Sequence, residues 1–142
     1  MYKNNEGDIA WMDLTVPNAE QVKSFYQAIL GWHSEPTKMT VEGETYQDFT
    51  MTNVIDSDEN KEDDNSSEKN PFVTGICHAK GANKDFPAQW LPYFLVADLD
   101  RAIAKVNSLK GDCITDIQHM GDDRYIVIKD PAGAACALYQ KA

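Results

Sequence analysis

The residues of this 142-residue chain whose types and spacing could do chemistry fall into four groups: three histidines, one strand carboxylate, three cysteines and an acidic run. His78 closes the segment Thr74 to His78, and His119 stands before Met120 and Gly121 on a connection. Either would suit general acid or base work, because imidazole titrates near neutral pH. His33, beside Trp32, reads as an ordinary strand residue, and no Ser-His-Asp or Cys-His pairing follows from spacing alone. Asp13 sits in an alternating strand pattern and needs a partner if buried, for which Arg124 is the candidate. Cys77, Cys113 and Cys136 are odd in number and lack CxxC spacing, so reduced, mostly buried thiols are expected rather than disulfides or a zinc site. The run Asp56 to Asn70 holds seven acids, two lysines and no apolar residue. Asp56, Asp58 and Asn60 have the opening spacing of a calcium loop, but Lys61 stands where glycine is needed and Ser67 where a bidentate glutamate is needed. The run therefore reads as a solvated loop between two strands.

The elements that must position these residues are written twice. Met12, Leu14 and Val16 alternate with Trp11, Asp13 and Thr15, the period of a strand covered on one face. Pro17 ends that ladder, Asn18 is placed as a helix N-cap with Gln21 at capping-box distance, and Ala19, Val22, Tyr26, Ile29 and Leu30 form one helical stripe. Gly31 supplies a left-handed stop. In the second copy Phe94 and Val96 alternate with Tyr93 and Leu95, Asp98 caps, Leu99, Ala102, Ile103, Val106 and Leu109 form the stripe, and Gly111 closes. Each copy is followed by three strands: 32–41, 45–52 and 72–79 in the first, 113–117, 124–129 and 135–140 in the second. A repeated supersecondary unit implies a pseudo-symmetric fold with a cleft between the copies.

Composition bounds the class. A chain of this length, 42% apolar, buries one core rather than two, so the copies are expected to share a sheet. There is no 18-residue apolar run, and Met1 to Asp8 lacks the apolar stretch of a signal peptide, so no membrane association and a cytoplasmic location are expected. A net charge of -10, with 13 basic residues against 23 acids, argues against nucleic acid.

The segments 11–32, 89–106 and 130–140 together resemble the vicinal oxygen chelate superfamily, the glyoxalase, bleomycin-resistance protein and extradiol dioxygenase group. The resemblance implies an α+β fold of two βαβββ modules forming a curled mixed β-sheet around a cleft. Module 1 would span about 8–79, including the loop at 56–70, and module 2 about 87–141, in a single domain covering 1–142. A homodimer is expected, since the cleft in this group is often completed by a second copy. The fold hosts lyases, dioxygenases, epimerases and drug-binding proteins and does not fix the function.

In the metal-dependent members each module gives one ligand five residues before the valine that ends its first strand, and one glutamate after the DP-x-G turn. Here those positions are Trp11, Leu91 and Ala137, none of which has a donor for a divalent ion. The fourth position lies within 72–79, where Cys77 or His78 qualifies, but one ligand does not hold an ion. Neither a metal nor any other cofactor is therefore expected, with Zn, Ni, Mn or Fe held through unusual ligands as the alternative.

In this fold the strand face carrying Trp11, Asp13 and Thr15, and Leu91, Tyr93 and Leu95 in the repeat, lines the cleft. Trp11, Asp13, Thr15, Leu91, Tyr93 and Arg124 are thus the expected ligand-binding residues, with Trp11 and Leu91 facing each other. Such a face suits an aromatic or amphipathic small molecule. The function expected is small-molecule binding. The alternative is a glyoxalase-like or dioxygenase-related enzyme of the lyase, isomerase or oxygenase type, with His78, His119 or Asp13 as acid or base.

Overall fold

The computed structural model describes residues 4–53 and 73–142; the acidic run at 56–70 lies outside the described residues, and with it both readings of that run. The first module is β1 (Ile9–Val16), α1 (Ala19–Leu30), β2 (His33–Val41), β3 (Glu44–Thr52) and β4 (Val73–His78). A connection with a short 3-10 turn at Gly81–Asn83 leads to β5 (Trp90–Leu95), α2 (Leu99–Ser108), β6 (Asp112–Cys113), β7 (Gln118–Met120), β8 (Asp123–Lys129) and β9 (Ala135–Gln140). These strands make one mixed sheet in the order β2-β3-β4-β1-β5-β9-β8-β6, with β7 paired to β8 beside that path. Within each module the first and last strands are parallel, and the modules join through the antiparallel pair β1 and β5.

That junction explains the sequence repeat. Met12 lies opposite Pro92, eighty positions on, the same offset that separates Val16 from Val96 and Gly31 from Gly111. A pseudo-two-fold axis relating positions eighty apart must pass through a pair that is opposite itself, and Met12 with Pro92 is that pair. Residues one step either side then exchange partners, so Trp11 faces Tyr93 and Asp13 faces Leu91. The expectation that Trp11 faces Leu91 is thereby corrected: away from the Met12 and Pro92 pair, equivalent residues sit diagonally across the axis, not opposite one another.

The helix ends follow the pattern unequally. Asp98 caps α2 by accepting a hydrogen bond from the Arg101 amide at 3.0 Å. Asn18 occupies the same place on α1 but makes no side-chain bond to the helix backbone; its amide donates to the Gln21 side chain at 2.8 Å. Gly31 ends α1 in the left-handed region at φ 69°. At the end of α2 that conformation belongs to Lys110, at φ 70°, and Gly111 serves a different need. A Cβ on Gly111 would stand 2.8 Å from the Lys129 carbonyl oxygen and 2.9 Å from a Val106 methyl, so glycine is required there by close packing.

The two sheet faces separate the cores. Leu14, Val16, Phe49, Met51 and Ile76 pack under Ala19, Val22 and Tyr26 of α1, while Ile126 and Ile128 pack with Leu99, Ile103 and Val106 of α2. On the opposite, concave face Leu91, Tyr93, Leu95, Tyr125, Val127, Ala137 and Tyr139 cluster beneath Phe86 from the connection between modules.

The strand expected over 113–117 is instead the two-residue β6 followed by a separate β7 at Gln118–Met120. The cause is Thr115, whose hydroxyl accepts the Val127 amide hydrogen at 3.2 Å and donates to the Asp116 carbonyl at 2.9 Å. A side chain thus replaces a ladder carbonyl, and the backbone leaves the sheet. No helix among the described residues is long and apolar enough to cross a membrane.

Candidate functional site

Strand register gathers the site. Thr50, Gly75, Asp13 and Leu91 form one row across β3, β4, β1 and β5 on the concave face, with Trp11 and Tyr93 forming the adjacent pair. Above them opens a cleft of about 390 Å³ whose lining includes Trp11, Asp13, Asp48, Cys77, Tyr93 and Tyr139. Gly75 makes room at its floor: a Cβ there would come within 3.2 Å of the Asp13 Cβ and 3.6 Å of the Cys77 sulfur.

Asp13 is the chemically unusual group. Side-chain hydrogen bonds from Tyr93 and Trp11 reach its carboxylate, yet Oδ1 is buried and meets no hydrogen-bond partner among the described residues. Burial raises its pKa from 3.8 to about 6; the two hydrogen bonds oppose the shift and the charge of Asp48 adds to it. Burial, followed by the charge of Asp13, pushes the Tyr93 hydroxyl well above its ordinary range, and burial first raises Tyr125 to about 12. These phenols remain neutral donors at any working pH. The Cys77 thiol is also pushed up, by burial first and then by Asp13 and Asp48, so it is a protonated thiol and not a nucleophile. Cys77, Cys113 and Cys136 are all free.

Other expected residues fall elsewhere. Arg124 is not the partner of Asp13: its guanidinium donates to Asp100 at 3.1 Å and to Gln140 at 3.0 Å, and Gln140 in turn accepts the Leu99 amide at 2.7 Å. Arg124 therefore braces the start of α2 against β9. The cause is register, since β5 and β9 lie between β8 and β1 on the sheet path. Thr15 and Leu91 lie on the concave face but are sealed from solvent, at 1% and 0% exposure, with Leu91 inside the aromatic core under Phe86. His119 is exposed on β7 opposite Arg124 and does not line the cleft, whereas its neighbour Met120 does. His33 is exposed at the start of β2.

His78 stands at the end of β4, where its backbone amide donates to Asp48 Oδ1 at 2.8 Å. Its Nδ1 is 3.4 Å from the same oxygen, within ion-pair reach but without a hydrogen bond, and Tyr46 packs edge-on against the ring at 5.3 Å. The Lys80 ammonium lies over Tyr46 and pairs with Glu44 at 2.7 Å, so His78 belongs to a braced corner beside the cleft.

Sequence reading missed Asp48, Cys77 and Tyr139 as cleft residues. For Asp48 the signal was present in β3, where Tyr46, Asp48 and Thr50 alternate with Phe49 and Met51. Tyr46 thus lies on the face of Asp48 and Thr50, opposite that of Phe49 and Met51. Tyr139 required knowledge that β9 turns the same face inward as β5, with Leu95 opposite it.

The divalent ion that the fold implies does not fit these residues. Trp11 and Leu91 offer no donor, Ala137 is buried in the sheet between Tyr93 and Val127, and no group of three metal-ligating side chains occurs among the described residues. A larger hollow of about 690 Å³ lies against α2 on the other face, lined by residues such as Val106 and Lys129. It lacks the buried unpartnered polar atom that marks the concave cleft.

The family profile named Glyoxalase/Bleomycin resistance protein/Dioxygenase superfamily matches residues 8–138. The chain belongs to that superfamily. Its βαβββ repeat and curled mixed sheet are the superfamily's fold. Two curated relatives, Anthracycline biosynthesis protein DauV of Streptomyces sp. (strain C5) and DnrV of Streptomyces peucetius, are each 27% identical over 136 residues, 95% of this chain and 47% of the relative. The chain thus spans about half the length of those relatives. A Streptomyces coelicolor methylmalonyl-CoA epimerase in complex with 2-nitronate-propionyl-CoA superposes with a TM-score of 0.52 at 15% identity, over 97% of this chain and 99% of that one. A superfamily member from Vibrio splendidus 12B01 gives 0.50 at 10% identity, over 92% and 97%. At these identities the structural matches speak for the fold alone.

Proposed function

We propose that this superfamily member binds a planar, partly apolar small molecule in the concave cleft and does so without the superfamily's divalent ion. The observation that carries the reading is Asp13: a carboxylate with a buried unpartnered oxygen, walled by Trp11 and Tyr93, at the floor of a cleft of about 390 Å³. Leaving a carboxylate in that condition is costly unless something in the cleft answers it. Aromatic walls with a small number of polar anchors are the usual composition of a site for a ring-bearing ligand. The two relatives named for anthracycline biosynthesis support a polycyclic aromatic ligand class.

The test is ligand-induced stabilisation of the purified protein across a panel of planar aromatics that includes an anthracycline, comparing the chain with its Trp11→Ala variant. Binding at 100 times Kd raises stability by about 2.7 kcal/mol. The expected result is a shift lost in a folded Trp11→Ala protein; an unchanged shift would refute the cleft assignment.

A second reading rests on the same residue. A carboxylate shifted to about 6 is suited to proton abstraction near neutral pH, so an isomerase or lyase with Asp13 as base is the enzymatic alternative. His78 and His119 support it less, the first held in its corner and the second outside the cleft. Turnover of a bound panel compound that Asp13→Asn abolishes, with binding retained, would favour this reading over simple binding.

A further inference from the structure

We propose that the cleft selects ligands by charge, taking an aromatic molecule that carries a protonated amine and seating the cation against Asp13 and Asp48. The inference rests on the cleft being a binding site and adds the class of molecule it takes.

Three observations carry it. The first is the imbalance of charge in the cleft, whose lining contains two carboxylates, Asp13 and Asp48, and one cation, Lys141. That cation is engaged at the rim, where its ammonium donates to the Asn4 side chain. The second is that neither carboxylate has a Lys or Arg partner among the described residues; Asp48 is held by the His78 backbone amide, and the His78 ring, which pairs as a cation only when protonated, lies 3.4 Å from the same oxygen. The third is the wall, where Trp11, Tyr93 and Tyr139 offer aromatic rings on the same concave face. Rings beside a desolvated carboxylate are the chemistry that holds an alkylammonium, through cation-π attraction and a charge-assisted hydrogen bond.

A neutral hydroxyl would meet only the hydrogen-bonding need. An anion would meet two like charges in a partly dry cleft, which is strongly unfavourable. The titratable groups facing Asp13 are Asp48 from β3, Cys77 from β4, Tyr93 from β5, Tyr125 from β8 and, on the cleft wall, Tyr139 and Lys141, while Asp48 also faces His78 from β4 and Tyr46 from β3. Cys77 and the tyrosines around Asp13 are all pushed toward their neutral forms, while Asp13 itself is raised to about 6. Cation binding therefore strengthens as pH rises through that value.

Three probes with one ring system and one linker separate the possibilities: tryptamine, a cation; tryptophol, neutral; and indole-3-propionate, an anion. Calorimetric titration of the full chain at pH 7.5 should rank them in that order, with tryptamine at least about tenfold tighter than tryptophol. Between pH 5 and 7.5 the tryptamine affinity should rise about tenfold while that of tryptophol stays within about twofold. Asp13→Asn should remove most of the preference together with its rise between pH 5 and 7.5, and Asp48→Asn should weaken the preference by less. Equal binding of tryptamine and tryptophol, or tighter binding of indole-3-propionate, would overturn charge selection while leaving the cleft as a binding site. Failure of all three probes at millimolar concentration would overturn the binding reading and charge selection together.

Discussion

Replacing Asp13 by asparagine should make the protein more stable at neutral pH and leave it little changed in acid. The side chain keeps its shape and loses its charge. In the folded protein the Asp13 carboxyl titrates near 6 rather than 3.8, because burial disfavours the anion more than the Tyr93 and Trp11 hydrogen bonds favour it. A raised acid pKa means that the folded state holds the proton more tightly. Its stabilising contribution is therefore complete below the unfolded pKa and is lost as pH rises through the folded one. A shift of about two units corresponds to about 3 kcal/mol at pH 8 and about 1 kcal/mol at pH 4.5. Asp13→Asn should thus gain about 2 kcal/mol relative to the parent between those two values, levelling off above pH 7. Lost or weakened hydrogen bonds from Tyr93 and Trp11 would lower the variant's stability by a similar amount at every pH, so the slope is the diagnostic and not the offset. The assay is urea denaturation of both proteins at half-unit pH intervals, with m-values compared to secure a two-state reading. A stability difference that is flat with pH, or one that turns against the variant as pH rises, would refute a desolvated carboxylate at the cleft floor.

The equivalent glycines at the two helix ends should fail for opposite reasons. Gly31→Ala should cost about 1 kcal/mol from backbone conformation alone and be partly rescued by asparagine, since nothing lies within 4 Å of the added Cβ. Gly111→Ala should cost about 2 kcal/mol by collision with the Lys129 carbonyl, and asparagine should be worse; thermal melts of the four variants check the contrast. Arg124→Ala should lower stability by about 1 kcal/mol, because its bonds are partly exposed, and leave binding in the cleft unchanged by calorimetry. Gly75→Val should narrow the cleft floor beside Asp13 and weaken binding of any panel ligand about tenfold or more, read as a loss of ligand-induced stabilisation.

Much of the scaffold was legible because its signals are local. Alternation in Met12 to Val16, the capping Asp98 and the stripe through Leu99, Ile103 and Val106 each depend on a few neighbouring residues. The strand expected over 113–117 was misread because Thr115 makes the decision through a bond to Val127, twelve positions away. Arg124 was assigned to Asp13 by charge complementarity alone, and the register of β8 against β9 gives it to Asp100 and Gln140 instead.

The sequence by itself determined the duplication, its offset of eighty residues, and the absence of donors at Trp11, Leu91 and Ala137, since each is a property of residue type and spacing. Only the tertiary structure decided which inward-facing residues stay open to the cleft and which become core. Trp11 and Asp13 line the cleft while Thr15 and Leu91 on the same face are sealed, although alternation treats all four alike. The physical reason is that strand parity fixes the direction of a side chain, whereas burial depends on what the other module and the Phe86 connection place above it. The state of Asp13 was decided in the same way. Its charge is written in the chain, but its burial, the hydrogen bond from Tyr93 and the neighbouring charge of Asp48 come only with the folded sheet.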